Sequence, residues 1–333
     1  MDSVILAAGK GTRMASDRPK VLHEIRGKPL IQHLLDSLAE VLTGRIIVVV
    51  GYKADLVSEE LSGQDIQFVL QEEQKGTAHA LQQAKSEIKS DKFLVFPGDL
   101  PLIKPESIQE FVDASERKGV DFSLFTTERE DPAGYGRVKR GRDGKVVEIV
   151  EEQDASDKEK EIKEINTGVY LISNREYLWQ DLDSIDPENA QNEFYLTDLV
   201  KRASGKGREV AAVSSNSPNE FLGVNTREDL ARAGQILNDR KIKSLMEKGV
   251  TVVCPDETIV EPEVTVARDT HIRPFSILRG ETKIGAGSDI GPNTEVIDSK
   301  IGDGVDLSHS VIREASIQDG RKMEPFQKIG PEV

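Results

Sequence analysis

From about Val252 onward, aliphatic residues recur at intervals close to six: Val264, Ile272, Ile277 or Leu278, Ile284, Ile290, Val296, Ile301 and Leu307. Several are followed by glycine, as in Ile284-Gly285, Ile290-Gly291 and Ile301-Gly302. An amphipathic helix needs a period of 3.6 and a half-buried strand a period of 2, so a six-residue repeat fits neither. It fits a parallel β-helix, in which each turn points an aliphatic residue inward and relies on its neighbours to cover it. After Ile317 the repeat dissolves into Asp319-Gly320-Arg321-Lys322-Met323.

The first two thirds follow a different rule. Val4 to Leu6, Arg45 to Gly51, Gln67 to Leu70, Phe93 to Phe96 and Asp121 to Thr126 are apolar runs of strand length. Between them, Pro29 to Leu38, about Ala78 to Lys85, and Pro105 to Lys118 have helical spacing. Alternation of this kind predicts an α/β, Rossmann-like, mainly parallel sheet covered by helices, with ligands outside the carboxyl ends of its strands. Phe221 to Thr226 reads as one more strand ending in a polar residue, and Arg227 to Lys248 as a long amphipathic helix closed by Gly249. With 333 residues there is enough chain for two domains.

The first strand runs into Gly9-Lys10-Gly11-Thr12-Arg13-Met14, with Pro19-Lys20 following. Glycines at 9 and 11 predict positive φ and backbone N–H groups open to phosphate oxygens, and Arg13 and Lys20 add full charges for a leaving pyrophosphate. The Walker pattern and the three-glycine dinucleotide fingerprint are both excluded, because Met14 stands where a third glycine would be. Local cations matter here. The chain carries 59 acidic against 44 basic residues, a net charge of −15, which disfavours nonspecific attraction to nucleic acid or an anionic membrane. A single cysteine, Cys254, rules out an intramolecular disulfide and a cysteine zinc site. No long apolar segment or basic leader is present, so a cytoplasmic protein is expected.

Three further segments carry chemistry. In Gln71 to Ala80, the Gln71 amide offers the donor and acceptor that read a pyrimidine edge, Gly76 permits close backbone approach, and Thr77 is an expected helix N-cap. His79, one turn into a helix, suits packing or capping. Phe93 to Leu102 is a strand ending in Gly98-Asp99, where a carboxylate is placed to hold Mg²⁺. Asp131 to Val138 is a glycine turn entering a strand that returns over Val146 to Glu151. The charge-rich stretch Glu152 to Glu164 reads as a solvated flap or helix without chemistry.

The run from Gly9 to Lys20 resembles the signature G-x-G-T-R-M-x(n)-P-K of sugar-phosphate nucleotidyltransferases. It is most similar to the uridylyltransferase half of the bifunctional N-acetylglucosamine-1-phosphate uridylyltransferase/glucosamine-1-phosphate acetyltransferase family. Gln71 to Ala80 resembles that family's Q-x-E-Q-x-G-T-x-H-A segment, and Asn192 to Asp198 its N-x-E-Y-Y-x-T-D segment. Pro97 stands where the family usually has an aromatic before Gly-Asp. The resemblance implies nucleotide contacts from Leu6, Ala7, Ala8, Gly9, Lys20, Gln71, Gly76, Thr77 and Gly98. It implies sugar contacts from Gly136, Glu151 and Asn166, with Glu193 a further candidate and Asp198 either a site residue or a cap. Arg13 and Lys20 are the implied catalytic cations, and Asp99 and Asn225 the implied Mg²⁺ ligands.

By the same resemblance, residues 1–228 form the nucleotidyltransferase domain, 229–249 a linker helix and 250–333 a truncated left-handed β-helix that builds a homotrimer. UTP and N-acetylglucosamine 1-phosphate are the implied substrates. The family's acetyl-CoA site belongs to later coils, and His271 and His309 sit in no matching context, so acetyltransferase activity is expected to be absent. Two alternatives stand beside this: an enzyme for glucose 1-phosphate or another sugar 1-phosphate, and an inert nucleotide-sugar-binding or assembly subunit.

Overall fold

The computed structural model describes residues 1–331. Its contacts divide into two compact units, one of Met1–His23 with Pro29–Asp229, the other of Glu24–Lys28 with the chain from Leu230 onward. The short hairpin at 24–28 thus belongs to the second unit although its sequence lies within the first.

In the first unit, nine strands among the described residues form one sheet. They are β1 (Asp2–Leu6), β2 (Ile46–Val50), β3 (Ile66–Leu70), β4 (Lys92–Pro97), β5 (Phe122–Glu128), β6 (Arg137–Arg140), β7 (Val146–Val150), β8 (Glu164–Ser173) and β9 (Val210–Ser215). The main order is β9-β5-β8-β4-β1-β2-β3, with the β6–β7 hairpin attached to β8. β1 pairs in parallel with both β2 and β4. The chain therefore leaves β1 to one side and returns to its other side at β4. That reversal opens a crevice at the carboxyl ends of β1 and β4, the place where open α/β sheets bind ligands.

Alternation along β1 shows how the sheet is covered. Val4 packs into one hydrophobic cluster and Ile5 into another, both fully buried. The helices are α1 (Leu30–Val41), α2 (Ala54–Glu60), α3 (Thr77–Gln83), α4 (Pro105–Lys118), α5 (Asp157–Lys160), α6 (Glu176–Asp183), α7 (Asp198–Gly205) and α8 (Arg227–Glu247). Ala78 and Leu81 of α3, Leu178 of α6 and Leu199 of α7 join Val4, while Leu34 of α1 and Phe111 of α4 join Ile5. Both faces of the sheet are thereby buried, as its near-continuous apolar strands require.

One sequence expectation changes here. Phe221 to Thr226 is not a strand: Pro218–Phe221 makes a 3₁₀ turn and the chain then runs extended to Asn225. Val224 N donates to Asp99 O at 3.0 Å, a single tie in place of a ladder. The stretch 152–164 contains α5, held by a capping box in which Ser156 and Glu159 satisfy each other's backbone N–H.

The second unit stacks short parallel strands in three ladders, the architecture of a left-handed β-helix. One ladder runs Thr251–Val252, His271–Ile272, Asp289–Ile290, Asp306–Leu307, each pair parallel. Ile272, Leu278, Ile284, Ile290, Val296, Ile301 and Leu307 are all buried inside, so Leu278 and not Ile277 is the inward residue of its coil. Stacking also continues past Ile317. Asp306 bridges Lys322, and Lys328–Ile329 pairs with Val311–Arg313. Contrary to the sequence expectation, the six-residue repeat persists here: Ile317, Met323 and Ile329 stand six apart and pack on the same core, although the residues between them are mostly polar.

Candidate active site

The loop after β1 is fixed at its base by Gly98 N donating to Leu6 O at 3.0 Å and Ala7 N to Val49 O at 2.9 Å. Gly11 has φ 65°, and a Cβ there would sit 2.5 Å from Lys20 Cβ, so only glycine lets the Lys20 stem pass beneath the loop. Gly9 does not take positive φ, contrary to the sequence expectation. A Cβ at Gly9 would meet nothing within 4 Å, so what this glycine provides is open space beside the backbone. Met14, at the missing third-glycine position, is buried at 1 % exposure and anchors the turn.

Two cations and two oxygen ligands meet beyond this loop. The Lys20 ammonium forms an ion pair with Asp99 and donates to Asn225 Oδ1 at 3.1 Å, while Arg13 Nη2 donates to the same oxygen at 3.0 Å. Asp99 Oδ2 and Asn225 Oδ1 thus converge on one positive centre, here an ammonium. A carboxylate and an amide oxygen facing one point are the hard donors Mg²⁺ takes, with its other positions left to water and phosphate. No group of three or more His, Cys, Asp or Glu that could cage a metal occurs among the described residues. The pair therefore fits a cation that substrate helps to hold. Asn225 is itself fixed by Asp229, whose Oδ2 accepts from Asn225 N at 3.0 Å and Thr226 N at 2.9 Å.

On one side of this centre lies a cavity of about 350 Å³ lined by Leu6, Ala7, Ala8, Gly9, Lys20, Gln71, Gly76, Thr77, Gly98 and Asp99, with Glu193 on its wall. Gln71 is only 2 % exposed, and its Nε2 donates to Gly76 O at 3.1 Å and His79 Nδ1 at 2.9 Å. Both amide protons are used inside the loop, so Gln71 presents an acceptor rather than the donor–acceptor pair expected. His79 serves to hold that amide. Thr77 is not the N-cap of α3. Gly76 occupies that position, and Thr77 Oγ1 accepts instead from Leu196 N at 2.9 Å. At Gly76 φ is 115°, and a Cβ would lie 2.5 Å from Phe194 O.

On the other side a cavity of about 380 Å³ is lined by Arg13, Tyr135, Gly136, Gly223, Asn225 and Asp229, and shares Pro97, Asp99, Glu151, Asn166 and Gly168 with the first. A β-bulge in β8 between Asn166 and Tyr170 turns Asn166 toward the cavity. Its amide is held by Gly168 N, donating to Oδ1 at 3.2 Å, and by Tyr170 OH, which accepts from Nδ2 at 2.7 Å. Gly168 has φ 80°, and a Cβ there would press to 3.1 Å from Pro97 Cγ, so the proline that departs from the family pattern packs directly against the bulge. Burial pushes the Glu151 carboxyl above its ordinary range, opposed by a hydrogen bond from Thr197 and by the Arg137 charge. Arg137 is fully buried and clamps the glycine turn, donating to Tyr135 O and, at 2.7 Å, to Glu152, which also accepts from Gly134 N at 3.2 Å.

Every site residue singled out from the sequence except Asp198 lines one of these two cavities. Asp198 opens α7. Thr197 and Asp229 were missed, and Tyr135 was read only as part of the glycine turn. Asp229 had a legible signal, since Thr226-Arg227-Glu228-Asp229 is a capping box ahead of a helix. Tyr135 and Thr197 had none of their own.

Residues 3–185 match the family model of the MobA-like NTP transferase domain. The bifunctional protein GlmU of Syntrophomonas wolfei is 39% identical over 334 residues, spanning 100% of this chain and 74% of that protein. GlmU of Caldanaerobacter subterraneus subsp. tengcongensis is 40% identical over 331 residues, spanning 99% of this chain and 72% of its own. The chain belongs to the GlmU family. It is a nucleotidyltransferase. A UDP-glucose pyrophosphorylase solved with UDP-glucose has the same fold over 72% of this chain and 98% of its own, with a TM-score of 0.60 at 19% identity. No helix among the described residues is long and apolar enough to cross a membrane.

Proposed function

We propose that this chain transfers the uridylyl group of UTP to N-acetylglucosamine 1-phosphate, forming UDP-N-acetylglucosamine and pyrophosphate. The observation that carries this reading is the meeting of Arg13, Lys20, Asp99 and Asn225 at the junction of two cavities, one floored by a nucleotide loop and the other by a glycine turn with Glu151 and Asn166. A phosphate oxygen of the sugar phosphate attacks the α-phosphorus in line, and the bond to the β-phosphate oxygen breaks. Little covalent chemistry is asked of the protein, so positioning and charge neutralisation supply the rate. Lys20 and Arg13, now resting on Asp99 and Asn225, turn to the phosphate oxygens. Mg²⁺ on Asp99 and Asn225, when bound, supplies further neutralisation of the phosphates.

Base choice follows from Gln71. With both amide protons engaged, its Oε1 accepts from an N3–H, which uracil has and cytosine lacks. Across the cleft, Glu151 and Asn166 take the sugar hydroxyls. The resemblance of the Gly9 to Lys20 loop and of Gln71 to Ala80 to the N-acetylglucosamine-1-phosphate uridylyltransferases supports N-acetylglucosamine 1-phosphate as acceptor. A homotrimer built through the β-helix and a cytoplasmic location complete the reading.

Pyrophosphate release across UTP, CTP, dTTP and ATP, each with N-acetylglucosamine 1-phosphate and glucose 1-phosphate, tests it. Highest turnover with UTP and N-acetylglucosamine 1-phosphate is expected. Preference for glucose 1-phosphate would overturn the sugar assignment, and no release with any pair would leave a nucleotide-sugar-binding or assembly subunit.

A further inference from the structure

The segment Phe194 to Thr197 ties the two cavities together. Phe194 N donates to Lys75 O at 2.8 Å, Ala78 N donates to Phe194 O at 2.8 Å, and Leu196 N donates to Thr77 Oγ1 at 2.9 Å. At its end, Thr197 Oγ1 donates to Glu151 Oε1 at 2.9 Å. The strap is thus registered against the base loop at one end and grips the sugar-side carboxylate at the other. At Gly76 the two run in direct contact, since even a methyl there would meet the Phe194 backbone.

We propose that Thr197 is a positioning residue for sugar recognition: carried on a strap hydrogen-bonded to the base loop, it holds the Glu151 carboxylate in the orientation that receives the sugar hydroxyls. This rests on the sugar-binding role given to Glu151 above. A buried carboxylate accepts most strongly from sugar hydroxyls while ionised and correctly turned, and a hydrogen bond donated to it serves both ends. The groups acting on Glu151 are balanced against ionisation. Burial opposes it, with Asp154 and Asp198 adding repulsion, while Thr197 and Arg137 favour it. Tyr170 and Tyr195 also face it, and burial first and then the nearby carboxylates keep both phenols protonated.

Thr197→Val keeps the shape and deletes the donor. The expected result is a rise of about tenfold in KM for N-acetylglucosamine 1-phosphate, a UTP KM within about twofold, and a smaller change in kcat. The acid limb of kcat/KM for the sugar phosphate should move to higher pH, and Thr197→Ser should restore both values. Glu151→Gln, run alongside, separates the two levels. If Glu151→Gln raises the sugar-phosphate KM and Thr197→Val leaves KM and pH profile unchanged, the positioning role is wrong. If Glu151→Gln itself leaves that KM unchanged, the sugar-binding role of Glu151 fails first. Equal loss in UTP and sugar-phosphate KM for Thr197→Val, unrelieved by serine, would reduce Thr197 to a packing residue and overturn the proposal.

Discussion

At the scale of single residues, the cleft is built from side chains whose polar atoms are spent on one another. Gln71 is the clearest case: its amide protons hold Gly76 and His79, and what it offers outward is one carbonyl oxygen. Gly76 is constrained just as tightly. Gly76→Ala would need a methyl at positive φ against the Phe194 backbone, at a cost of about 1–3 kcal/mol, with a raised KM for nucleotide. Thermal melting together with initial-rate kinetics checks both. Asp2 gives a pH-dependent case. Burial alone would push its carboxyl up, yet the backbone N–H groups of Lys89, Ser90 and Arg45 outweigh burial and leave it below the ordinary value. A folded pKa below the unfolded one means stability that is present above the unfolded pKa and is lost as pH falls through the folded pKa. Asp2→Asn should therefore be less stable than the parent at neutral pH, and the gap should close as denaturation is followed from about pH 5 down to about pH 3.

At the scale of elements, what the sequence made legible was what depends on local pattern. Apolar runs of strand length and 3.6-residue spacing located β1 to β5 and, of the helices between them, α1, α3 and α4 but not α2, and the glycine loop could be read because Gly11 makes way for the nearby Lys20 by a local steric rule. The strand expected at Phe221 to Thr226 failed for the opposite reason. Leu222, Gly223 and Val224 have strand composition, but the segment is held beside Asp99 by a long-range hydrogen bond, which no local spacing encodes. Likewise the bulge in β8 that turns Asn166 into the cleft is a register shift between distant strands. The N-terminus of α8 was readable and carries a consequence. Asp229 caps the helix while holding Asn225, so Asp229→Ala should loosen the proposed metal ligand as well as a helix end. About a tenfold higher Mg²⁺ requirement is expected, with a loss of about 1 kcal/mol in stability, and a Mg²⁺ titration of turnover reads the first. An unchanged titration would remove Asp229 from the site.

At the scale of the whole molecule, two kinds of periodicity in one chain give two kinds of core. The α/β unit hides its apolar residues on both faces of a sheet, whereas each coil of the β-helix depends on the coil above and below. Ile290 is stacked in register between Ile272 and Leu307, all three fully buried. Ile290→Ala should cost about 2–5 kcal/mol, seen as a lowered melting transition of the β-helical unit. The account's central claim concerns the other unit: nucleotidyl transfer is performed where Lys20, Arg13, Asp99 and Asn225 meet. Its most direct test is pyrophosphate release from UTP and N-acetylglucosamine 1-phosphate by Asp99→Ala at saturating Mg²⁺, with folding verified by an unchanged melting transition. Turnover reduced about a hundred- to a thousandfold, the usual cost of removing one charge-stabilising group, is the expected result, and a rate close to that of the parent chain would contradict it.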